Sequence, residues 1–154
     1  DVTQFKVCDE KVYLSPVMDL YNREIVSYSI STSPNLWQIR EMLDGLFAKL
    51  PADASPVFHS DQGWQYQHAE YQRLLAEHNI TQSMSRKGNC MDNGAMENFF
   101  GRLKVEMFYG EKFENVNVFI DELKRYIDYY NYERISMKLK GMSPVQYRTH
   151  SVTT

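Results

Sequence analysis

At 154 residues, with 43% hydrophobic and 14% aromatic content, the chain is long enough to bury a single core and too aromatic to stay disordered. No apolar run approaches the roughly 20 residues that cross a bilayer, and the opening DVTQFKVCDE has neither the basic flank nor the apolar stretch of a secretory signal, so the chain reads as cytoplasmic, without a membrane segment. A net charge of -3 counts against a generic nucleic-acid binder, and Cys8 and Cys90 are too few for a disulfide framework or a zinc knuckle, which leaves two free thiols.

The first third reads as strands. KVYLSPVMDLY and EIVSYSIST are rich in β-branched and aromatic residues, and YNRE between them supplies a turn at Asn22, so residues 11 to 32 predict a hairpin. DVTQFKV precedes it across a polar CDEK turn, giving an antiparallel meander of three strands. After Pro34 the period changes to helical steps through Leu36, Ile39, Met42, Leu43, Leu46, Phe47 and Leu50, stopped by Pro51. SPVFHS predicts a short buried strand, HAEYQRLLAEHN a helix and ITQSM another strand, so the later strands are parallel and joined by helical crossovers. SRKGNCMDNGA has no periodicity and reads as a loop. A long helix follows from Asn93, with Met96, Phe99, Leu103 and Met107 on one side, and another runs through Val118, Ile120, Leu123, Tyr126, Ile127 and Tyr130. Residues 1–150 form one domain on this reading, and 151–154 a frayed tail.

Three acids stand out by position: Asp1 on the first strand, Asp61 just past the fourth, and Glu97 in the first turns of the helix after the glycine-rich loop. A fourth strand parallel to the first would make Asp1 and Asp61 neighbours at the sheet centre, and a helix across the sheet would bring Glu97 to them. Clustered carboxylates repel one another and resist desolvation unless cations neutralise them. Oxygen ligands select hard ions such as Mg²⁺ or Mn²⁺, and an open carboxylate site can hold two for in-line phosphoryl displacement. Singly, each acid is as readily a turn or a helix cap.

DVTQ, FHSDQGWQY and GAMENFFGRLKVE resemble the three catalytic blocks of the integrase core of insertion-sequence transposases and retroviral integrases, within the ribonuclease H-like superfamily. Between Asp61 and Glu97 lie 35 residues, the spacing that names the family's Asp, Asp, Glu signature, and the closing YYNYERISMKLKGMSPVQYR is similar to the end of the catalytic domain in the bacterial branch. The resemblance implies an α/β, ribonuclease H-like fold with a five-stranded mixed sheet flanked by helices. It further implies that Asp1, Asp61 and Glu97 hold two Mg²⁺ or Mn²⁺ ions, one activating the attacking oxygen and the other stabilising the leaving 3′-oxygen, in DNA 3′-end cleavage and strand transfer.

Around this site, Lys104 lies two helical turns after Glu97 on the same face, where the resemblance implies a basic DNA contact and the residue alone also reads as a solvent-exposed lysine, whereas Gly101 departs from relatives that carry a polar or basic side chain there. Arg86 and Lys87 precede Gly88 in the loop and are candidate backbone clamps. Arg134, Lys138 and Lys140 form a basic strip suited to phosphates or simply to solvent. Asn93 caps the catalytic helix, with Asp92 a near-equal candidate. His59 shares a strand face with Asp61, as a metal ligand or, preferably, as a histidine positioning Asp61 by a hydrogen bond; Gly63 supplies the sharp turn; Trp64 and Tyr66 pack beside the site or stack on bases. Asp19 ends an apolar run too and is read as a structural turn residue.

The resulting expectation is the catalytic core of a bacterial insertion-sequence transposase, acting on element ends and target DNA at the nucleoid, as a homo-oligomer. Relatives carry upstream helix-turn-helix segments, so a chain that opens on a catalytic acid reads as an excised domain. The rival expectations are a metal-dependent nuclease of the same fold without strand transfer, and a DNA-binding or assembly module that has lost the chemistry.

Overall fold

A computed structural model of the chain describes residues 1–33, 35–51, 53–61, 63–85 and 94–153, with the backbone alone for 151–153. Strand β1 (Thr3–Val7) pairs antiparallel with β2 (Glu10–Met18), and β2 with β3 (Ile25–Ser31). Val7 pairs with Glu10, so Cys8 and Asp9 alone make the turn, with φ of 49° and 64°. Two successive positive φ angles define the tight hairpin turn whose twist matches that of the flanking strands. The second turn closes on Asp19, whose Oδ1 accepts from the Tyr21 N–H at 2.9 Å, while Arg23 takes a left-handed φ of 65°. Asp19 thus has the structural turn role expected of it.

Helix α1 (Leu36–Lys49), capped by Asn35, connects to β4 (Val57–Ser60); a short α2 (Trp64–Gln67) and α3 (Ala69–Glu77) then lead to β5 (Thr81–Met84), parallel to β4. Helix α4 (Gly94–Leu103) continues into a π-helical turn at Lys104–Phe108, followed by α5 (Val116–Tyr132), a 3₁₀ turn at Met137–Leu139 and α6 (Pro144–Thr153). The last helix runs through Thr153.

The sheet has two differently built faces. Toward α4 and α5, Phe5, Val12, Leu14 and Ile25 meet Phe99, Leu103, Phe119, Leu123 and Ile127 in one buried cluster. Toward α1 the sheet presents serines. Ser27 Oγ donates to the Met42 carbonyl at 2.7 Å and Ser29 Oγ to that of Gln38 at 2.6 Å, which draws the helix close. A Cβ on Gly45 would stand 2.5 Å from Ser27 Oγ, so this approach requires glycine there. Ile39, Met42, Leu43 and Leu46 then pack with Tyr66, Tyr71, Leu75 and Ile80 in the second cluster.

Five strands are present, an antiparallel three and a parallel pair, but among the described residues the backbone ladders are separate: β1-β2-β3 and β4-β5. The expected ladder between the first and fourth strands is not formed, and Asp1 lies two residues before β1 rather than on it. Pairing with β1 ends at Leu14, so Ser15–Met18 have β3 on one side only. A cleft of about 770 Å³ opens between that stretch of β2 and β4, bordered by Asp1, the end of α1 and the start of α4.

Candidate active site

Two of the three expected acids meet. The Asp61 N–H donates to Asp1 Oδ1 at 3.0 Å, across 60 positions of chain. Asp61 itself is held from the other side, because the Gly63 N–H donates to its Oδ1 at 2.8 Å. This is the local turn that aspartate forms with the backbone two residues on. Gly63 has an ordinary φ of -55°, so conformational freedom is not why glycine stands here. A Cβ would lie 3.0 Å from Asp61 Oδ1 and 2.9 Å from Gln65 Oε1; the missing side chain lets the carboxylate fold back onto the peptide. Gly63 also starts α2, which turns Tyr66 into the core while Trp64 stays exposed.

Beneath the pair the packing is aromatic. Tyr66 and Tyr71 meet edge to face, with ring centroids 5.4 Å apart. Both hydroxyls are buried without a hydrogen-bond partner of ordinary geometry, although Ser15 lies beside one and Ser60 beside the other. Burial, and then the charge of Asp61, push the Tyr66 phenol far above its usual range, so it stays protonated.

Glu97 is placed differently. It sits in the first turn of α4 and is exposed, while Gly94, Ala95 and Met96 of the same turn border the cleft that holds Asp1. Among the described residues no three His, Cys, Asp or Glu side chains come close enough together to hold a metal. The expected three-carboxylate convergence is therefore present as a pair plus a third acid on a bordering helix. The donor chemistry of the pair suits a hard cation: all oxygens, each Oδ1 taking one N–H, and no cationic side chain paired with either acid among the described residues.

The remaining candidates divide. His59 is exposed and borders the cleft with Asp1, but its Nδ1 bonds Ser83 Oγ at 3.0 Å directly across the parallel pair; the expected hydrogen bond to Asp61 is not formed, because the strand register puts Ser83 opposite. Lys104 is half-buried with its Nζ 5.5 Å from the Phe5 ring centroid, a cation–π contact on the α4 side of the sheet. Arg134 forks onto Glu106, with Nη2 to Oε2 at 2.6 Å, and the Tyr126 hydroxyl donates to the same carboxylate at 3.0 Å. Lys138 and Lys140 are exposed, the latter at a left-handed φ of 57°. Arg86, Lys87 and Asn93 lie outside the described residues.

Three residues escaped the sequence reading. Asn98 and Arg102, four apart on α4, and Arg23 from the turn before β3 border one small cavity with Arg134 and Lys138. The helical spacing of the first two was a usable signal; the arrival of Arg23 was not.

Comparison with known proteins bears on the whole chain. Two family models, both described as integrase core domain, match residues 1–90 and 97–152. An uncharacterized transposase-like protein of Haemophilus influenzae is 54% identical over 99% of the chain and 70% of its own length. The putative transposase InsK for insertion sequence element IS150 of Escherichia coli is 53% identical over 98% of the chain, which spans 53% of that relative. Among solved structures, the HTLV-2 integrase catalytic core domain in complex with magnesium, in a trimeric form, superposes with a TM-score of 0.69 at 15% identity, covering 96% of this chain and 91% of the other.

Proposed function

The chain belongs to the integrase core domain family, and from that premise we propose that it is the catalytic core of an insertion-sequence transposase, which cleaves DNA 3′ ends and joins them to target DNA. The observation that carries this is the Asp61 N–H to Asp1 Oδ1 contact, which unites two acids from opposite ends of the first half of the chain. Asp1, Asp61 and Glu97 would hold Mg²⁺ or Mn²⁺, two ions per site. When bound, such ions supply Lewis acidity to the attacking and leaving oxygens of an in-line displacement.

The protein's own groups have separate tasks. Gly63 and the Asp1 contact orient Asp61 before substrate arrives, so little reorganisation is needed during reaction. The buried Tyr66 beside Asp61 would limit water on that side of it. Glu97, exposed on the first turn of α4, would complete the ligand set from that side, and the cleft bordered by the same helix would receive the DNA. Element ends and target DNA are the proposed substrates, with a homo-oligomer holding two ends together; Lys104, Arg86, Lys87, Lys138 and Lys140 are the proposed backbone contacts.

The test is a strand-transfer assay with pre-cut element ends and Mn²⁺. Joined products that vanish in Asp61→Asn and Glu97→Gln support the proposal, while hydrolysis without joining would reassign the chain as a nuclease of the same fold. The exposed position of Glu97 favours one other reading, a DNA-binding module without chemistry. Mn²⁺ separates the two, because ligands that bind only the folded state raise Tm by mass action. A rise blunted by Glu97→Gln supports catalysis; no rise supports the silent module.

A further inference from the structure

The small cavity against α4 is about 60 Å³ in volume and is bordered by Arg23, Arg102, Arg134 and Lys138 together with Asn98. No Asp or Glu among the described residues borders it. The cations arrive from separate segments: the β2–β3 turn, α4, the stretch just after α5 and the 3₁₀ turn. Arg134 is answered by its fork with Glu106, which also feels Arg102 at longer range. Among the described residues, Arg23, Arg102 and Lys138 have no ion-pair partner.

Arg23 is the telling member. Its φ of 65° is a conformation that glycine or asparagine adopts with least strain, yet an arginine occupies it. The Tyr130 hydroxyl donates to the Arg23 carbonyl at 2.7 Å and fixes that turn against α5. Burial pushes the Tyr130 phenol up to about 12, and the charges of Arg134, Arg102 and Arg23 all oppose the rise, consistent with guanidinium groups gathered about one hydroxyl.

We propose that this cavity seats one phosphodiester of the DNA backbone, gripped by Arg23, Arg102 and Lys138 with Asn98 as a neutral donor. The assignment rests on the proposed DNA function and extends it to residues outside the acidic site. Planar guanidinium groups match phosphate oxygens in a two-pronged geometry, and such contacts set the register of a strand without reading its sequence. DNA rather than free phosphate is favoured by continuity: Met18, Arg23 and Ala95 border both this cavity and the cleft that holds Asp1, so a strand seated here runs on toward the acids.

Binding of the chain to a duplex across a salt series tests this, with Arg102→Gln and Arg23→Asn as variants and Arg73→Gln on α3 as the charge-matched control. Asparagine accepts the left-handed backbone, so Arg23→Asn should keep or raise Tm while weakening binding, which a purely structural arginine would not do. Each variant should lower the slope of log K against log salt by about 0.9 and weaken all duplex sequences alike. Unchanged slopes in folded variants, with wild-type binding intact, overturn the phosphate seat and leave the functional proposal standing. If the wild type binds no duplex, the functional proposal and the DNA seat fall together. Titration with inorganic phosphate, lost in Arg102→Gln, would then identify a free-anion site instead.

Discussion

The acidic pair and the basic cavity are two concentrations of like charge on either side of the start of α4, and they are built by opposite means. Asp61 is held by the peptide of Gly63, two residues away, and by a single long-range contact to Asp1. The cations are delivered by four separate segments and steadied by long-range contacts, the Tyr130 bond to Arg23 and the Arg134 fork on Glu106. Carboxylates are short and acceptor-only, so nearby backbone N–H groups suffice to orient them. Arginines are long donors whose position depends on what their stems pack against. Substitutions in the acidic pair should therefore act on chemistry with little loss of stability, whereas loss of the Arg134 fork should act on stability.

The largest expected effect is on chemistry. Asp61→Asn should reduce strand transfer by about a thousandfold or more, the scale of losing one pre-oriented electrostatic group, or about 4 kcal/mol of barrier, with Tm nearly unchanged. A parallel collapse in Tm would show that Asp61 is chiefly structural and break the comparison.

Next comes Arg134→Ala. The pair is partly shielded, with side-chain exposures of 18% for Arg134 and 30% for Glu106, so its loss should cost about 1–2 kcal/mol in urea unfolding. The fork with Arg134 holds the Glu106 carboxyl below its usual 4.5. A depressed folded pKa contributes stability that is complete above the unfolded value and lost as pH falls through the folded one. The destabilisation by Arg134→Ala should accordingly be full at pH 7 and shrink below pH 4.5. An effect independent of pH would place it in packing alone.

Gly63→Ala sharpens the contrast from the acidic side. Its Cβ, 3.0 Å from Asp61 Oδ1, should displace the carboxylate and slow strand transfer about tenfold, near 1.4 kcal/mol, with binding to pre-cut ends intact. The smallest effect is expected for Tyr66→Phe. Removing a buried hydroxyl that has no partner should leave stability unchanged or raise it by up to about 1 kcal/mol. A clear loss would reveal that the hydroxyl is bonded when the site is in use.

Much of the architecture was legible along the chain. The helical period from Leu36 predicts α1 well, because burial on one face writes itself into local spacing, and the short segments at 57–60 and 81–84 are strands as expected, although the first, expected to be buried, has Val57 and His59 exposed. The four-residue α2 was not legible, being too short to show a period. Nor was the π-helical turn. The stretch from Asn93 through Met107 read as one helix, but at Lys104 the hydrogen bonding shifts so that the Tyr109 N–H reaches the Lys104 carbonyl at 2.7 Å. That wider turn puts Phe108 among Phe5 and Phe119, with centroids 5.1 Å and 5.8 Å away. Asn131 was equally silent; its amide bonds both the N–H and the carbonyl of Ile25 at 2.9 Å, standing in for a neighbouring strand.

By itself, then, the amino-acid order determined most of the strand and helix sequence and the turn chemistry of Asp19, since each depends on residues a few positions apart, and it singled out Asp1, Asp61 and Glu97 as candidates. Only the tertiary structure decided that Asp1 meets Asp61 while Glu97 stands off on α4, that His59 turns to Ser83, and that Arg23 joins Arg102 and Lys138. Those outcomes depend on how packed elements are offset and on which donor lies nearest across a register. Such distances are set by the summed packing of the whole core and leave no mark on local spacing.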